Sequence, residues 1–502
     1  MVVTTHAKAT LGEKRRIILA ITTILATRIV LHYLSPKKEM ICKQRFKEIP
    51  SPRPQWPIVG PIVQLKMGVQ TWFVISDPIL AQEIFMTHGT ATSDRPTYTY
   101  FTYYSHDGRG VICSNADKRW KRTRAALLSI LAPQRVNQFT DVLLYEADAL
   151  VEQLISRTEL FGQMDPSPCL QNAGMNVILT TCFATRINSA DDQLFKDIMA
   201  YVHASMKMAG PEGDLCQFFP IMSVLDILVG KKRKYSNFIA KVRDPLFTRL
   251  IDEAASSDKD SMIKSFLALK EEYGLDDKDI IVTMSDLLGA GADTAAATLS
   301  WMIVILSHHH DVQEKIQAEL DAFIRKHNRL STFEERDQIP YTIAVQKECI
   351  RYKSIGFFGF PHMASRDVAV RDYFIPKGTI LLGNVNGMHM NPKVYSDPET
   401  FKPERFLNNT RTMSSSANGN INQRDHFVFG WGRRLCPGIH LAEVEMFHIF
   451  VRILANSTIA APLNDDGKEV AVDMDITVNI GPLILPQPYQ VRFIPRTDSP
   501  LK

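Results

Sequence analysis

The sequence predicts a mainly α-helical protein with a small β region, preceded by one N-terminal membrane-anchor helix. Three observations carry that prediction. Ile280–Leu306 is apolar nearly all round, the pattern of a helix buried through the centre of a molecule. Alternating, strand-like segments are short and confined to two places, Pro61–Met67 with Thr71–Ser76 near the start and Ile476–Leu485 with Tyr489–Pro495 near the end. Ile17–Leu34 is an apolar run close to the ~20 residues that a bilayer span requires.

Composition sets the outer limits. With 502 residues the chain can bury a large core in one or two domains, and 45% hydrophobic with 22% charged content excludes a disordered or fibrous protein. A net charge of +4 is too mild to argue for nucleic acid, although it suits anionic lipid or an acidic protein partner. Seven cysteines, odd in number and without paired spacing, read as reduced thiols on a cytosolic face, with no disulfides expected.

In chain order, residues 1–16 form a short tail and 17–34 the transmembrane anchor, with no small-residue cleavage site after it. Arg28 costs ~2.5–3.5 kcal/mol if central, but it lies toward the C-terminal end, where it can snorkel. An interfacial amphipathic helix is the alternative. Basic residues flank both sides, so charge does not orient the segment. Residues 35–60 carry Pro50, Pro52, Pro54 and Pro57 and read as a stiff hinge ending at Gly60. The folded domain, 61–502, opens on a hairpin closed near Gly68, and a helix starts after Asp77-Pro78.

Tyr98, Tyr100, Phe101, Tyr103 and Tyr104 break helical period in a turn-rich segment, and read either as core filler or as the roof of a pocket. Trp120 and Arg124 share one helical face, on a helix whose Lys118, Arg119, Lys121 and Arg122 form a basic surface. Phe218–Val229 followed by Lys231–Lys234 joins an apolar patch to a basic one, which suits a membrane surface or, equally, a core segment with a solvated loop. Inside the long apolar helix stands AGADT. There Ala290 and Gly291 thin the helix so that a ligand can lie against its backbone, and Asp293 and Thr294 place an acid and a hydroxyl in apolar surroundings. A hydrogen bond from Thr294 to the Ala290 carbonyl is the purely structural alternative. His308, His309 and His310 lack spaced partner ligands and read as loop. Glu348 and Arg351 in ECIR face the same way on a helix, a common surface arrangement. Asn408–Arg424, rich in Ser and Asn, reads as a surface insertion.

The stretch that organises all this is Phe429–Gly438, FGWGRRLCPG, which delivers Cys436 to the first turn of a helix running from Pro437 to Asn456. Helix-start N–H groups lower a thiol's pKa and bias it toward the metal-binding thiolate. Gly432 and Gly438 leave room for a flat cofactor, and Arg434 offers a cationic fork to a carboxylate. A lone cysteine in such a place is otherwise a buried structural thiol. The loop resembles the haem-binding signature of the cytochrome P-450 family at its defining positions. AGADT, ECIR and Pro403–Phe406 precede it in the family's order, so the resemblance covers Pro61 to Pro495.

The resemblance implies the family's mostly helical fold and a haem b (iron protoporphyrin IX) cofactor. Cys436 becomes the iron's axial ligand, with Phe429 shielding its sulfur and Gly438 against the ring; Trp120, Arg124, His362 and Arg434 serve the propionates. A thiolate ligand pushes electron density onto iron and favours O–O cleavage. Thr294 and Asp293 are then the proton-delivering catalytic pair. Tyr100, Phe101, Ala290, Gly291, Phe358 and Ile480 line the substrate pocket, and Glu348, Arg351 and Arg405 form a buried ionic lock. The implied activity is insertion of one oxygen atom from dioxygen into a hydrophobic small molecule. Electrons come from NADPH through a membrane-bound cytochrome reductase, with cytochrome b5 as a second candidate donor, at the cytosolic face of the endoplasmic reticulum membrane. A haem-thiolate isomerase or dehydratase of oxygenated lipids, and an inactive haem-binding protein, are the rivals. One family element is absent. Between hinge and first strand the family has a complete helix, for which this chain has no room, so exposed apolar sheet surface and poor haem retention are expected.

Overall fold

The computed structural model describes residues 60–188 and 192–501. The anchor, the hinge and their orientation lie outside the described residues. The fold opens with strands β1 (Ile62–Met67) and β2 (Gln70–Ile75), antiparallel with Met67 opposite Gln70, and Gly68 at φ 60° supplies the left-handed turn. Asp77 then caps the next helix by accepting from the Leu80 N–H at 2.7 Å. The sheet's apolar positions Ile62, Val63, Phe73, Val74 and Ile75 are all buried. The expected exposed sheet surface is therefore not found there; exposure is confined to Met67 and Val69 at the turn.

The aromatic segment is helical, contrary to the turn-rich reading. Thr99–Tyr104 forms α1, and a single turn and a half puts Tyr100, Phe101 and Tyr104 on one buried face against Tyr235, Ile239 and Val282. There follow α2 (Lys118–Ile130), α3 (Thr140–Phe161), α4 (Ser167–Phe183) and α5 (Gln193–Ala209). The axis of the molecule is α6, Asp277–Ser307, started by a reciprocal capping box between Asp276 and Asp279. It is crossed closely by α4. A Cβ on Gly291 would come within 2.5 Å of Ile178 Cγ1, and one on Gly174 within 3.0 Å of the Ala292 carbonyl oxygen, so only glycine permits the crossing.

Helices α7 (His310–His327) and α8 (Pro340–Tyr352) follow, with His308 and His309 closing one helix and opening the next. Strands β3 (His362–Met363) and β4 (Ile380–Gly383) complete the first sheet in the order β1-β2-β4-β3, β2 and β4 being parallel. The stretch from Asn408 to Arg424 lies at the surface only in part: Asn408, Arg411, Ser415, Asn418, Gly419, Asn420, Asn422 and Gln423 are exposed, whereas Met413, Ser416, Ala417 and Arg424 are buried. Lys347, fully buried on α8, donates to the carbonyls of Asn409 at 2.6 Å and Arg411 at 2.8 Å, and Glu443 accepts from the Met413 N–H. Polar side chains signalled exposure, whereas it is the backbone of this stretch that satisfies the buried charges of Lys347 and Glu443.

The last long helix, α9, spans Ile439–Asn456 and packs with α3, α4 and α6 in the main core. The C-terminal strands pair differently from the expected single hairpin. β6 (Thr477–Ile480) and β7 (Leu483–Pro486) pair with each other around Gly481-Pro482, while β8 (Arg492–Pro495) returns to pair with β5 (Ser457–Ala460). The six described cysteines are free thiols.

Candidate active site

Cys436 sits just outside α9 rather than in its first turn. Its N–H donates to the Phe429 carbonyl at 2.9 Å, and the helical ladder begins only with Ala442 N–H to Gly438 carbonyl, which makes Gly438 the cap. The thiol's pKa is pushed up, because burial outweighs the lowering effects of the Gly438 N–H and the Arg124 charge. The two loop glycines also differ. A Cβ on Gly432 would meet the Phe85 carbonyl at 2.7 Å, so this glycine admits the neighbouring backbone, while one on Gly438 would meet nothing within 4 Å.

Around the cysteine gathers a set of cations that bond no carboxylate among the described residues, although the charge of Asp94 reaches Arg434. Arg434 is buried and donates through Nε to Ser93 O at 2.8 Å, through Nη1 to Val111 O at 2.8 Å, and through Nη2 to Ser114 O. Its guanidinium lies over Trp120 at 4.3 Å, and Trp120 Nε1 donates to the same Val111 carbonyl. Arg124 also stacks on Trp120 and bonds the Leu435 carbonyl, one residue before the thiol. Arg95, which sequence reasoning missed, is buried too, donating to Ile112 O, Pro361 O and Phe360 O. Burial first, then the charges of Arg95 and Arg124, push Arg434 down to about 8. His362 donates from or accepts at no acid either: its Nδ1 meets the Thr92 carbonyl at 2.8 Å, and burial followed by Arg95 pushes it well below the usual histidine range, so it is a neutral imidazole.

Three guanidiniums held on backbone carbonyls leave a strong local excess of positive charge, and such an excess fits a doubly carboxylated ligand. The donor set passes the test for haem: one thiol, an aromatic residue beside it in Phe429, and cations for two propionates.

The centre of α6 divides its roles in a way the sequence did not reveal. Gly291 is half-buried and its missing side chain admits the crossing with α4; Ala290 is exposed and a Cβ on Gly289 would meet nothing within 4 Å, so that face is open. Thr294 Oγ1 donates to the Ala290 carbonyl at 2.8 Å. Asp293 Oδ1 is buried with no hydrogen-bond partner among the described residues, and burial raises its pKa, with His203 acting in the opposite sense. Two turns earlier, Asp286 is fully engaged. It accepts from Tyr104 Oη at 2.8 Å, Val111 N–H at 2.7 Å and Ile112 N–H at 3.2 Å, and burial pushes it up to about 6. Asp286 thereby ties the loop after α1 to α6 through the same Val111 peptide whose carbonyl receives Arg434 and Trp120.

The rim is aromatic. Phe101 stacks on Phe360 at 6.2 Å, and Phe357 and Phe358 are exposed. Ile480 is half-buried at the Gly481-Pro482 turn, which meets Met206 of α5 and Gly356. Tyr100, by contrast, is 2% exposed, with its hydroxyl on Ser205, and belongs to the core. Away from the cleft, Glu348 holds Arg351 through two 2.8 Å bonds and Arg405 Nε at 3.0 Å, all three beneath the surface.

Comparison with known proteins agrees with this geometry. The family model for cytochrome P450 matches residues 57–487, and the chain belongs to that family. Cytochrome P450 monooxygenase 58 of Postia placenta is 27% identical over 446 residues, covering 88% of this chain and 83% of that protein. Rat (Rattus norvegicus) cytochrome P450 2C11 is 29% identical over 460 residues, covering 88% and 87%. A solved zebrafish cytochrome P450 structure with progesterone superposes with a TM-score of 0.73 at 24% identity, over 88% of this chain and 97% of that one. The protein is thus an oxidoreductase, a cytochrome P450 monooxygenase that carries haem b, with the mainly helical fold and small sheets of its family.

Proposed function

We propose that the protein inserts one oxygen atom from dioxygen into a hydrophobic small molecule, using NADPH-derived electrons from a membrane-bound reductase. Bound through a cysteine thiolate, haem supplies the dioxygen chemistry. The chain's residues do the rest. Cys436 would hold the haem iron and Arg434, Arg124 and Arg95 would hold the propionates, with Trp120 packed beneath two of those guanidiniums. Ala290 and Gly289 open the face of α6 on which substrate lies, and Phe101, Phe358 and Ile480 close the rim. Asp293 takes protons from outside and Thr294 hands them inward, its hydroxyl holding its own proton on the Ala290 carbonyl between transfers.

The observation that carries this reading is Asp293. Its Oδ1 is buried with no hydrogen-bond partner among the described residues, an arrangement retained at a cost, and an isomerase that needs no external protons has no use for it. Turnover with NADPH-cytochrome reductase and isotopically labelled dioxygen tests it, on substrates first found by their shift of the haem absorption band. One labelled oxygen per product, with NADPH consumed, supports the proposal. Product formed without NADPH selects the isomerase or dehydratase reading instead.

The membrane assignment rests on a separate feature. Phe219, Ile221, Ile227, Leu228 and Val229 are all more than half exposed, beside exposed Lys232, Arg233 and Lys234, while Phe218 anchors the segment against Trp72. Such a patch suits an anionic lipid surface. With the anchor at 17–34 it gives two attachments, and the basic face of α2 remains for the electron donor. Deleting residues 1–34 should shift the protein only partly out of the membrane fraction. Full solubility of the intact chain would overturn the assignment.

A further inference from the structure

Beside α1 lies a second cavity, of about 410 Å3. One wall is the stretch 97–107, which contains α1; the other is the helix Lys231–Phe238 with its continuation to Ala240, and Gln217 also contributes. Contacts between the walls fix its two ends. At one, Thr99 Oγ1 donates to Asp214 Oδ1 at 2.9 Å, and the same carboxylate faces Lys231 at 3.8 Å. At the other, His106 Nε2 meets Asp244 Oδ2 at 2.9 Å, one turn beyond Ala240. Between them the Tyr100 and Tyr235 rings, both buried, hold the walls together at 5.4 Å. The cavity therefore runs along the helix from Lys232 to Ala240, ~12 Å of rise. Its two uncommitted charges are unlike and stand toward opposite ends, Lys232 at the first and Asp107, next to His106, at the second. Both are exposed, and neither makes an ion pair among the described residues, although the charge of Asp107 reaches Arg109. Ser236, one turn after Lys232 on the same helical face, is exposed too.

The chain itself joins this cavity to the exposed apolar patch. Segment 219–229 leaves the wall two residues after Gln217 and returns to it three residues before Lys232, so both of its ends sit in the cavity wall. A ligand here can thus place a polar group in the cavity and an apolar body along Phe219, Ile227 and Leu228. An anionic group alone would leave Asp107 facing its own sign, and a cationic one alone would do the same to Lys232. A zwitterion answers both, and Tyr98 and Tyr103 in the wall offer aromatic faces to a quaternary or primary ammonium. We propose that this cavity holds the headgroup of one zwitterionic membrane phospholipid, phosphate on Lys232 and Ser236, ammonium toward Asp107 and the tyrosines, acyl chains leaving along 219–229. The proposal rests on the membrane assignment above and narrows it from a surface to a headgroup.

Native mass spectrometry of the full-length holoenzyme tests it, the protein being released from micelles that contain equal amounts of phosphatidylcholine, phosphatidylglycerol and diacylglycerol. One phosphatidylcholine should be retained per chain, at least about fivefold over either competitor, since each of those lacks part of the recognition. Lys232→Met should lower retained phosphatidylcholine by about fivefold. Asp107→Asn, whose side chain tolerates the left-handed backbone at φ 63°, should instead equalise phosphatidylcholine and phosphatidylglycerol. Ala240→Trp, which fills the cavity and leaves both charges in place, should abolish retention; if it does not incorporate haem, the other two variants decide, their sites being exposed. No retained lipid, equal retention of phosphatidylcholine and phosphatidylglycerol by the wild type, or wild-type retention in the folded variants would each overturn the site. Vesicle flotation run alongside keeps the two readings apart. A chain that floats with vesicles yet retains no phosphatidylcholine overturns the headgroup site alone, and one that retains it without floating overturns the membrane assignment and leaves the site standing.

Discussion

Two buried clusters of arginine lie in the same molecule and obey opposite rules. In the lock, Glu348 bonds both Arg351 and Arg405, and the neighbouring Lys347 meets Asp425 at 2.9 Å. In the cradle, Arg434, Arg124 and Arg95 rest on backbone carbonyls and aromatic faces, and among the described residues no carboxylate bonds any of them. A buried charge left without a counter-charge is expensive, so a fold that carries three of them together is arranged for a partner from outside. The cluster that contains its own bonded acid is structure; the one whose arginines bond none is a binding site.

The largest expected effect lies beside the cradle. Cys436→Ala should lose the thiolate signature of the ferrous carbon monoxide complex entirely, while Cys113, Cys169, Cys182, Cys216 and Cys349 are each replaceable without that loss. An unchanged spectrum in Cys436→Ala would mean the cradle serves another ligand.

Next come paired substitutions that set the clusters against each other. Glu348→Gln leaves two guanidiniums buried without an acid and should destabilise the haem-free protein by ~3–5 kcal/mol in urea unfolding. Arg434→Met removes a charge that already lacks an acid, so the haem-free protein should change by no more than about 2 kcal/mol. Haem retention should respond in the reverse order, with Arg434→Met losing haem faster. Equal destabilisation by both would erase the distinction.

Much of this was legible beforehand because a few residues do chemistry that ordinary cores do not need. The cysteine loop, ECIR with PERF, and the capped apolar helix each carry spacing that survives without knowledge of the fold. What escaped was whatever depends on phase or on long-range approach. Ile280–Leu306 is apolar on all sides, so nothing in its pattern tells which residues face the cleft, and Gly289 went unnoticed beside Ala290 and Gly291. Arg95 and Asp286 each bond backbone distant in sequence, Arg95 reaching Pro361 and Asp286 reaching Val111. A lone Arg or Asp gives no local sign of such a partner. The aromatic segment misled for a related reason, since six residues are too few to show a helical period.

The comparison extends to the two aspartates of α6. Asp286 has three donors and Asp293 Oδ1 has none, so the first should act as structure and the second as chemistry. Burial raises Asp286 from 3.8 to about 6 in the folded state, which means the folded protein prefers it protonated. Its contribution to stability is full below about 4 and is lost as pH rises through about 6. Relative to Asp286→Asn, the wild-type protein should therefore lose on the order of 3 kcal/mol between those limits, measured by urea unfolding across the range. A difference independent of pH would show that its three hydrogen bonds cancel the cost of burial.

The smallest effect, and the most specific, belongs to Thr294. Its hydroxyl is satisfied by the Ala290 carbonyl at 2.8 Å, so Thr294→Ala removes one intrahelical bond of a kind that helices readily do without. Folding, haem content and the substrate-induced spectral shift should stay near wild type. The coupling of electrons to product should not, because Asp293 then has no adjacent hydroxyl through which to pass a proton in the right order. Product formed per NADPH should fall severalfold, of the order of 1 kcal/mol in the partition between pathways, with the missing electrons appearing as peroxide. Thr294→Ser, which keeps the hydroxyl and drops only a methyl group, should restore most of the yield. If Thr294→Ala forms product as efficiently as wild type, the Ala290 bond is the whole purpose of the residue, and the orphaned Asp293 must deliver its protons by a route that bypasses it.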